Sequence, residues 1–93
     1  MDLKELRDNI DEIDRRIIRL LEKRFEMVEE IAKLKQSHEL EIEDGTREEN
    51  VLKNWMNAAD KIEPKFLEKV VGLVVEYSKY IQSEANRRRR GGI

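Results

Sequence analysis

Arg24 and Lys35 stand eleven residues apart. On one helix that is close to three whole turns, so both project from the same face about 16 Å apart along the axis. Val28 and Ile31 lie between them, and two cations flanking an apolar strip look like the walls of an anion pocket. The plainer account pairs Arg24 with a carboxylate such as Glu76, or lets it snorkel to water along its own stem. Ser78 and Gln82, four apart beside Val74 and Ile81, can turn hydrogen-bonding groups inward or sit half-solvated near a helix end. Arg47 and Glu48 open a second helical stretch, where free N–H groups and the positive dipole end favour an anion. Surface charge with capping also accounts for that pair. Arg7, next to Leu6, reads on spacing alone as a solvated helix residue.

Other chemistry finds little support. His38 is the one histidine, in a loop, and no second ligand type is spaced around it as a metal site requires. With no cysteine there is no thiolate ligand, disulfide or Cys nucleophile. A Ser-His-Asp constellation and a phosphate-cradling Gly-rich loop are missing. The acidic run Glu39, Glu41, Glu43, Asp44 lacks the spacing of a calcium loop. Conventional acid/base or metal chemistry thus has little to stand on.

These side chains need long helices to hold them. No Gly or Pro occurs from Met1 to Asp44, and apolar residues recur in steps of three and four: Leu3, Leu6, Ile10, Ile13, Ile17, Leu20, Met27, Ile31, Leu34. This predicts one amphipathic helix with a heptad-like seam, and Arg24 interrupts that seam. A cation there costs several kcal/mol, on the order of a buried charge, unless an anion compensates it. Such a helix spans on the order of 50 Å, whereas a compact chain of this length has a radius of gyration of about 12 Å. The remaining residues are too few to cover it, so a second copy is expected to do so.

Gln36–Gly45 reads as a loop, and Thr46 with Glu49 as the capping box of a second helix whose apolar face is Val51, Leu52, Trp55, Met56 and Ala59. Pro64 stops that helix and suits the first turn of a third. Phe66, Leu67, Val70, Val71, Val74, Tyr77 and Ile81 carry the third helix to about Ala85, with Gly72 inside it marking a close approach by another helix. The expected fold is all-α, three helices in an intertwined homodimeric bundle, with residues 1–86 as the domain and 87–93, Arg87–Arg90 and two glycines, as a disordered basic tail.

Charged residues make up 43% of the chain, but they nearly cancel to a formal charge of −2. No global field therefore points to nucleic acid or a membrane surface. No apolar run approaches the roughly 18 residues of a membrane span, and the acidic N-terminus is unlike a signal peptide. A soluble cytoplasmic protein is expected.

Taken in order, the motifs resemble the all-helical (AroQ-type) chorismate mutase family, over roughly Leu3 to Ala85. Leu6-Arg7-Asp8-Asn9-Ile10-Asp11-Glu12-Ile13-Asp14, continuing to Leu20-Leu21-Glu22-Lys23-Arg24, is similar to its Arg, Ile-x-x-[IL]-Asp, Leu-Leu-x-x-Arg pattern. Lys35 follows that second Arg at the family's spacing. Asp44-Gly45-Thr46-Arg47-Glu48 is similar to its Asp-x-x-Arg-Glu element, and Glu76-Tyr77-Ser78 with Gln82 to its Glu-x-Ser-x-x-x-Gln element. The resemblance implies conversion of chorismate to prephenate by a pericyclic rearrangement that needs no proton transfer, covalent intermediate, metal or cofactor. It implies that Arg24, Arg47 and Arg7 of the second subunit bind the carboxylates with help from Ser78. Lys35 and Gln82 would contact the ether oxygen, and Glu48 with the backbone near Asp44 the ring hydroxyl. Arg7 lies seventeen residues before Arg24, about 25 Å and a quarter turn away, so one helix cannot bring both to one small ligand. Lys79 departs from the pattern, which often has an apolar residue after the serine.

Two rivals remain at this stage. Isochorismate-pyruvate lyase resembles the family in fold and pocket; the Arg47-Glu48 and Ser78/Gln82 elements favour the mutase. A non-catalytic helical dimer, or a nucleic-acid binder using Arg87–Arg90, accounts for the seam but not for Arg24, Lys35 and Gln82 together.

Overall fold

The structure, a computed structural model, describes residues 1–38 and 44–91, apart from the side chains of residues 89–91. Three helices account for nearly all of it: α1 (Leu3–Ser37), α2 (Gly45–Ala58) and α3 (Pro64–Gly91). The all-α, three-helix expectation agrees with this. Glu39, Glu41 and Glu43 of the predicted loop, and Gly92 of the predicted tail, lie outside the described residues.

α1 is a rod. Asp2 caps it by accepting a 2.8 Å hydrogen bond from the Glu5 N–H, and its 35 residues continue without a breaker. The molecule extends 57 Å along its longest axis with a radius of gyration of 16.8 Å, against about 12 Å for a compact chain of this length.

α2 starts one residue before the expected cap. The N-cap is Asp44 rather than Thr46: its carboxylate accepts the Arg47 N–H at 3.0 Å. Aspartate caps as well as threonine does and adds a negative charge at the positive end of the dipole. The helix ends at Ala58, before Pro64 can act, because Ala59 turns to extended backbone. Pro64 then opens α3, where its missing N–H costs nothing.

α3 corrects the sequence reading at its far end. It runs through Arg87–Arg90 to Gly91 instead of stopping near Ala85. The apolar pattern does end at Ala85, but arginine is a good helix former and nothing in that stretch breaks the helix.

α1 and α2 both pack on α3 and, among the described residues, not on each other. The buried apolar side chains are Val28 and Ala32 of α1, Val51 of α2, and Leu67, Val71, Val74 and Ile81 of α3. Phe25 meets Tyr77 edge to face, with ring centroids 4.7 Å apart. Contact with α3 is thus confined to the C-terminal part of α1. The seam residues from Leu3 to Leu34 remain 45–65% exposed. A single chain presents 8012 Å² of accessible surface, where a compact monomer of 11.1 kDa has about 5,700 Å².

Gly72 is not a contact point within the chain: a Cβ built there meets nothing within 4 Å. Glycine inside an exposed helical segment therefore costs conformational entropy without a packing return. Gly72→Ala is expected to stabilise the protein by about 1 kcal/mol, read as a higher midpoint in thermal or urea unfolding followed by circular dichroism.

Candidate active site

Because α1 and α2 lean on α3 without closing on each other, a cleft remains between them with α3 as its floor. Its volume is about 230 Å³, enough for a small ring compound. α1 contributes Arg24, Met27, Val28, Ile31 and Lys35, which the helical repeat places along one face. The first turn of α2 contributes Asp44, Arg47 and Glu48, with Val51 behind them. α3 contributes Val75, Ser78, Lys79 and Gln82.

Seven residues singled out from the sequence line this one cavity: Arg24, Lys35, Asp44, Arg47, Glu48, Ser78 and Gln82. Arg7 does not. It lies exposed toward the N-terminal end of α1, away from the cleft of its own chain. Sequence reasoning noted Lys79 as a departure from a pattern that adds a cation near the site, and gave it no further role, because no local signal shows which side chain of another helix it will face.

The lining has four cations, Arg24, Lys35, Arg47 and Lys79, against two carboxylates, Asp44 and Glu48. Among the described residues the lining thus carries two more cations than carboxylates, in a chain whose own net charge is −2. Asp44 has its carboxylate committed to capping α2, which leaves it little freedom to neutralise the arginines.

Arg24 is the centre of this charge. No carboxylate lies within ion-pair reach of it among the described residues, and Glu76, its alternative partner, is exposed. Its Nη1 donates instead to Ser78 Oγ at 3.0 Å. Ser78 in turn donates its proton to the Val74 carbonyl at 2.7 Å, so its lone pair is fixed toward Arg24. Burial lowers the pKa of Arg24, and the nearby charge of Arg47 lowers it further. Two guanidinium groups held close together in a partly desolvated site disfavour each other until an anion joins them.

Gln82 is a second unmet demand. Only 7% of it is exposed, its Nε2 reaches the Ser78 carbonyl at a long 3.5 Å, and its buried Oε1 has no hydrogen-bond partner. Buried amides are almost always satisfied. One left with spare capacity at a cavity wall is poised for something in the cavity. Among the described residues no three His, Asp or Glu side chains converge as a metal-ligating group.

The fold is an all-helical domain with a cleft floored by one helix and walled by two others, lined by cations from all three. Over residues 6–83 the sequence matches the family described as chorismate mutase type II, and the chain belongs to that family. No curated protein matches the chain.

The lowered pKa of Arg24 carries a sign. A cation with a lower pKa in the folded than in the unfolded state opposes folding wherever it is charged, and is relieved only above its folded pKa. Arg24→Met keeps the stem and removes the charge, so the ligand-free variant is expected to unfold at or above the parental midpoint. The gain should be no more than about 1 kcal/mol, because the group is partly solvated. Thermal unfolding at neutral pH, with and without added salt, checks this.

Proposed function

We infer that the protein is a chorismate mutase: it converts chorismate to prephenate, in phenylalanine and tyrosine biosynthesis in the cytoplasm, as a homodimer with shared active sites. The observation that carries this reading is Arg24, a partly buried guanidinium beside Arg47 with no carboxylate partner among the described residues, in a cleft whose described lining has two more cations than carboxylates. Membership of the family supports chorismate as the matching dianion.

The rearrangement is internal to the substrate. One C–O bond breaks, one C–C bond forms, and no proton, electron pair or group leaves the molecule. What the protein must supply is a folded substrate conformation with its reacting carbons close together, and donors where negative charge develops. In this reading Arg24 and Arg47 take the carboxylates, with Ser78 aiming Arg24. Lys35 and Gln82 serve the ether oxygen, whose charge rises as its bond breaks, and so act on the transition state more than on the ground state. A half-turn of the last torsion exchanges the two ends of the Gln82 amide and would present Nε2 to that oxygen. Glu48 and the backbone near Asp44 receive the ring hydroxyl.

The dimer follows from what one chain leaves bare. The exposed seam of α1 and roughly 2,000 Å² of surface beyond that of a compact monomer fall in the range that obligate dimers bury. A partner running along α1 would bring its Arg7 to the cleft and complete the set of cations.

The purified protein is expected to consume chorismate and form prephenate without added metal or cofactor, and to form no salicylate from isochorismate. The opposite pair of results would identify a lyase, and inactivity on both a non-catalytic module. Arg24→Ala and Lys35→Ala should each lower kcat/KM by about a hundredfold or more with helicity and dimerisation retained. Lys35→Arg should also be poor, since a wide fork replaces a compact ammonium aimed at one oxygen.

Sharing of sites between chains has its own test. Arg7→Ala and Arg24→Ala chains, each inactive alone, are unfolded together and refolded as a mixture. Half of the dimers are then mixed, and each carries one intact site, so about a quarter of parental activity should return. No recovery would mean that Arg7 does not act across the dimer.

A further inference from the structure

Lys79 Nζ lies 2.6 Å from Glu48 Oε1, joining α3 to α2 at the wall of the cleft. The pairs Lys4–Asp8, Arg15–Glu12, Lys33–Glu30 and Arg87–Glu84 are of another kind, each spanning three or four residues of one exposed helix face. Lys79 and Glu48 are distant in sequence and half-buried, with side chains 35% and 32% exposed. Glu48 Oε1 is itself buried, and the ammonium meets it as an ion pair without hydrogen-bond alignment.

A carboxylate in a cleft built for a dianion is a physical problem. It repels the ligand, and it can swing onto the nearest guanidinium and occupy the ligand's place. The remedy is a cation that holds it from outside the set that receives the ligand. Arg24 and Lys35 come from α1 and Arg47 from α2, whereas Lys79 is the one lining cation on α3. An ammonium on a flexible stem can neutralise one carboxylate oxygen and leave the second available.

We propose that Lys79 is a positioning residue that sets substrate recognition: its ammonium anchors one oxygen of Glu48, so that the other accepts the ring hydroxyl of the substrate and the carboxylate stays off the cations that bind the dianion. The inference rests on the chorismate mutase reading and adds to it a residue that acts through Glu48.

The test is a double-substitution cycle on chorismate turnover, using Lys79→Met, Glu48→Gln and both together, with Lys79→Arg as the conservative variant. Lys79→Met is expected to lower kcat/KM about tenfold, mainly by raising KM, with unchanged far-UV circular dichroism. In the Glu48→Gln background the same substitution should change kcat/KM less than about twofold, because the group it positions is gone. Lys79→Arg should recover part of the loss, since charge is kept. Parental kinetics in Lys79→Met, or an equal loss with and without Glu48, would overturn the proposal and leave the mutase reading intact. So would a Lys79→Met chain that fails to fold while Lys79→Arg folds, which would make the contact structural. A parent that does not turn over chorismate would overturn the mutase reading and this inference with it.

Discussion

The contact on which the rest of the structure depends is the one between Arg24 and Ser78. A guanidinium on the inner face of α1 is held by a neutral hydroxyl at 3.0 Å instead of a carboxylate. An ordinary structural ion pair would have met the charge and closed the space. A hydroxyl orients the group without neutralising it, and burial together with the nearby charge of Arg47 lowers its pKa. In the proposed reading the folded chain bears an electrostatic cost at Arg24 that a bound anion would relieve.

The architecture that makes this possible is sparse. α3 is the common support, with α1 and α2 packed on it and, among the described residues, not on each other. A third contact between α1 and α2 would bury more surface and abolish the cleft. The chain leaves the gap open and lines it with side chains from all three helices. Each helix holds its residues at the fixed rise and rotation of the α-helix, which places them more reproducibly than loops would. The buried core is correspondingly small, and among the described residues no large side chain is fully enclosed. Much of the apolar stripe of α1 faces outward, where only another molecule can shield it.

Several parts of this could be read from residue order. The seam of α1 and its interruption at Arg24 follow from a period of three and four. The eleven-residue step to Lys35 follows from the helical repeat, and the start of α3 from the fixed φ of Pro64. Other parts could not. Two capping signals overlap at the start of α2, and Asp44 prevailed over Thr46. Apolar periodicity marks where a helix is buried rather than where it ends, so α3 outran it into the arginines. Gly72 suggested a close approach by another helix, and no helix of the same chain makes it.

What the sequence determined by itself was therefore local: which stretches are helical, which faces are apolar, and which polar residues stand out of place on those faces. Intrinsic propensity and a repeat of 3.6 residues act over a few turns, and a reader can follow them along a single chain. Only the tertiary structure decided that Arg24 meets Ser78 instead of a carboxylate, and that Lys79 reaches back to Glu48 across two helices. Those pairings depend on how far apart the helices sit and on the rotation of each about its axis. Both are set by the side chains packed on α3, whose many weak contacts have no signature in the order of residues along the chain.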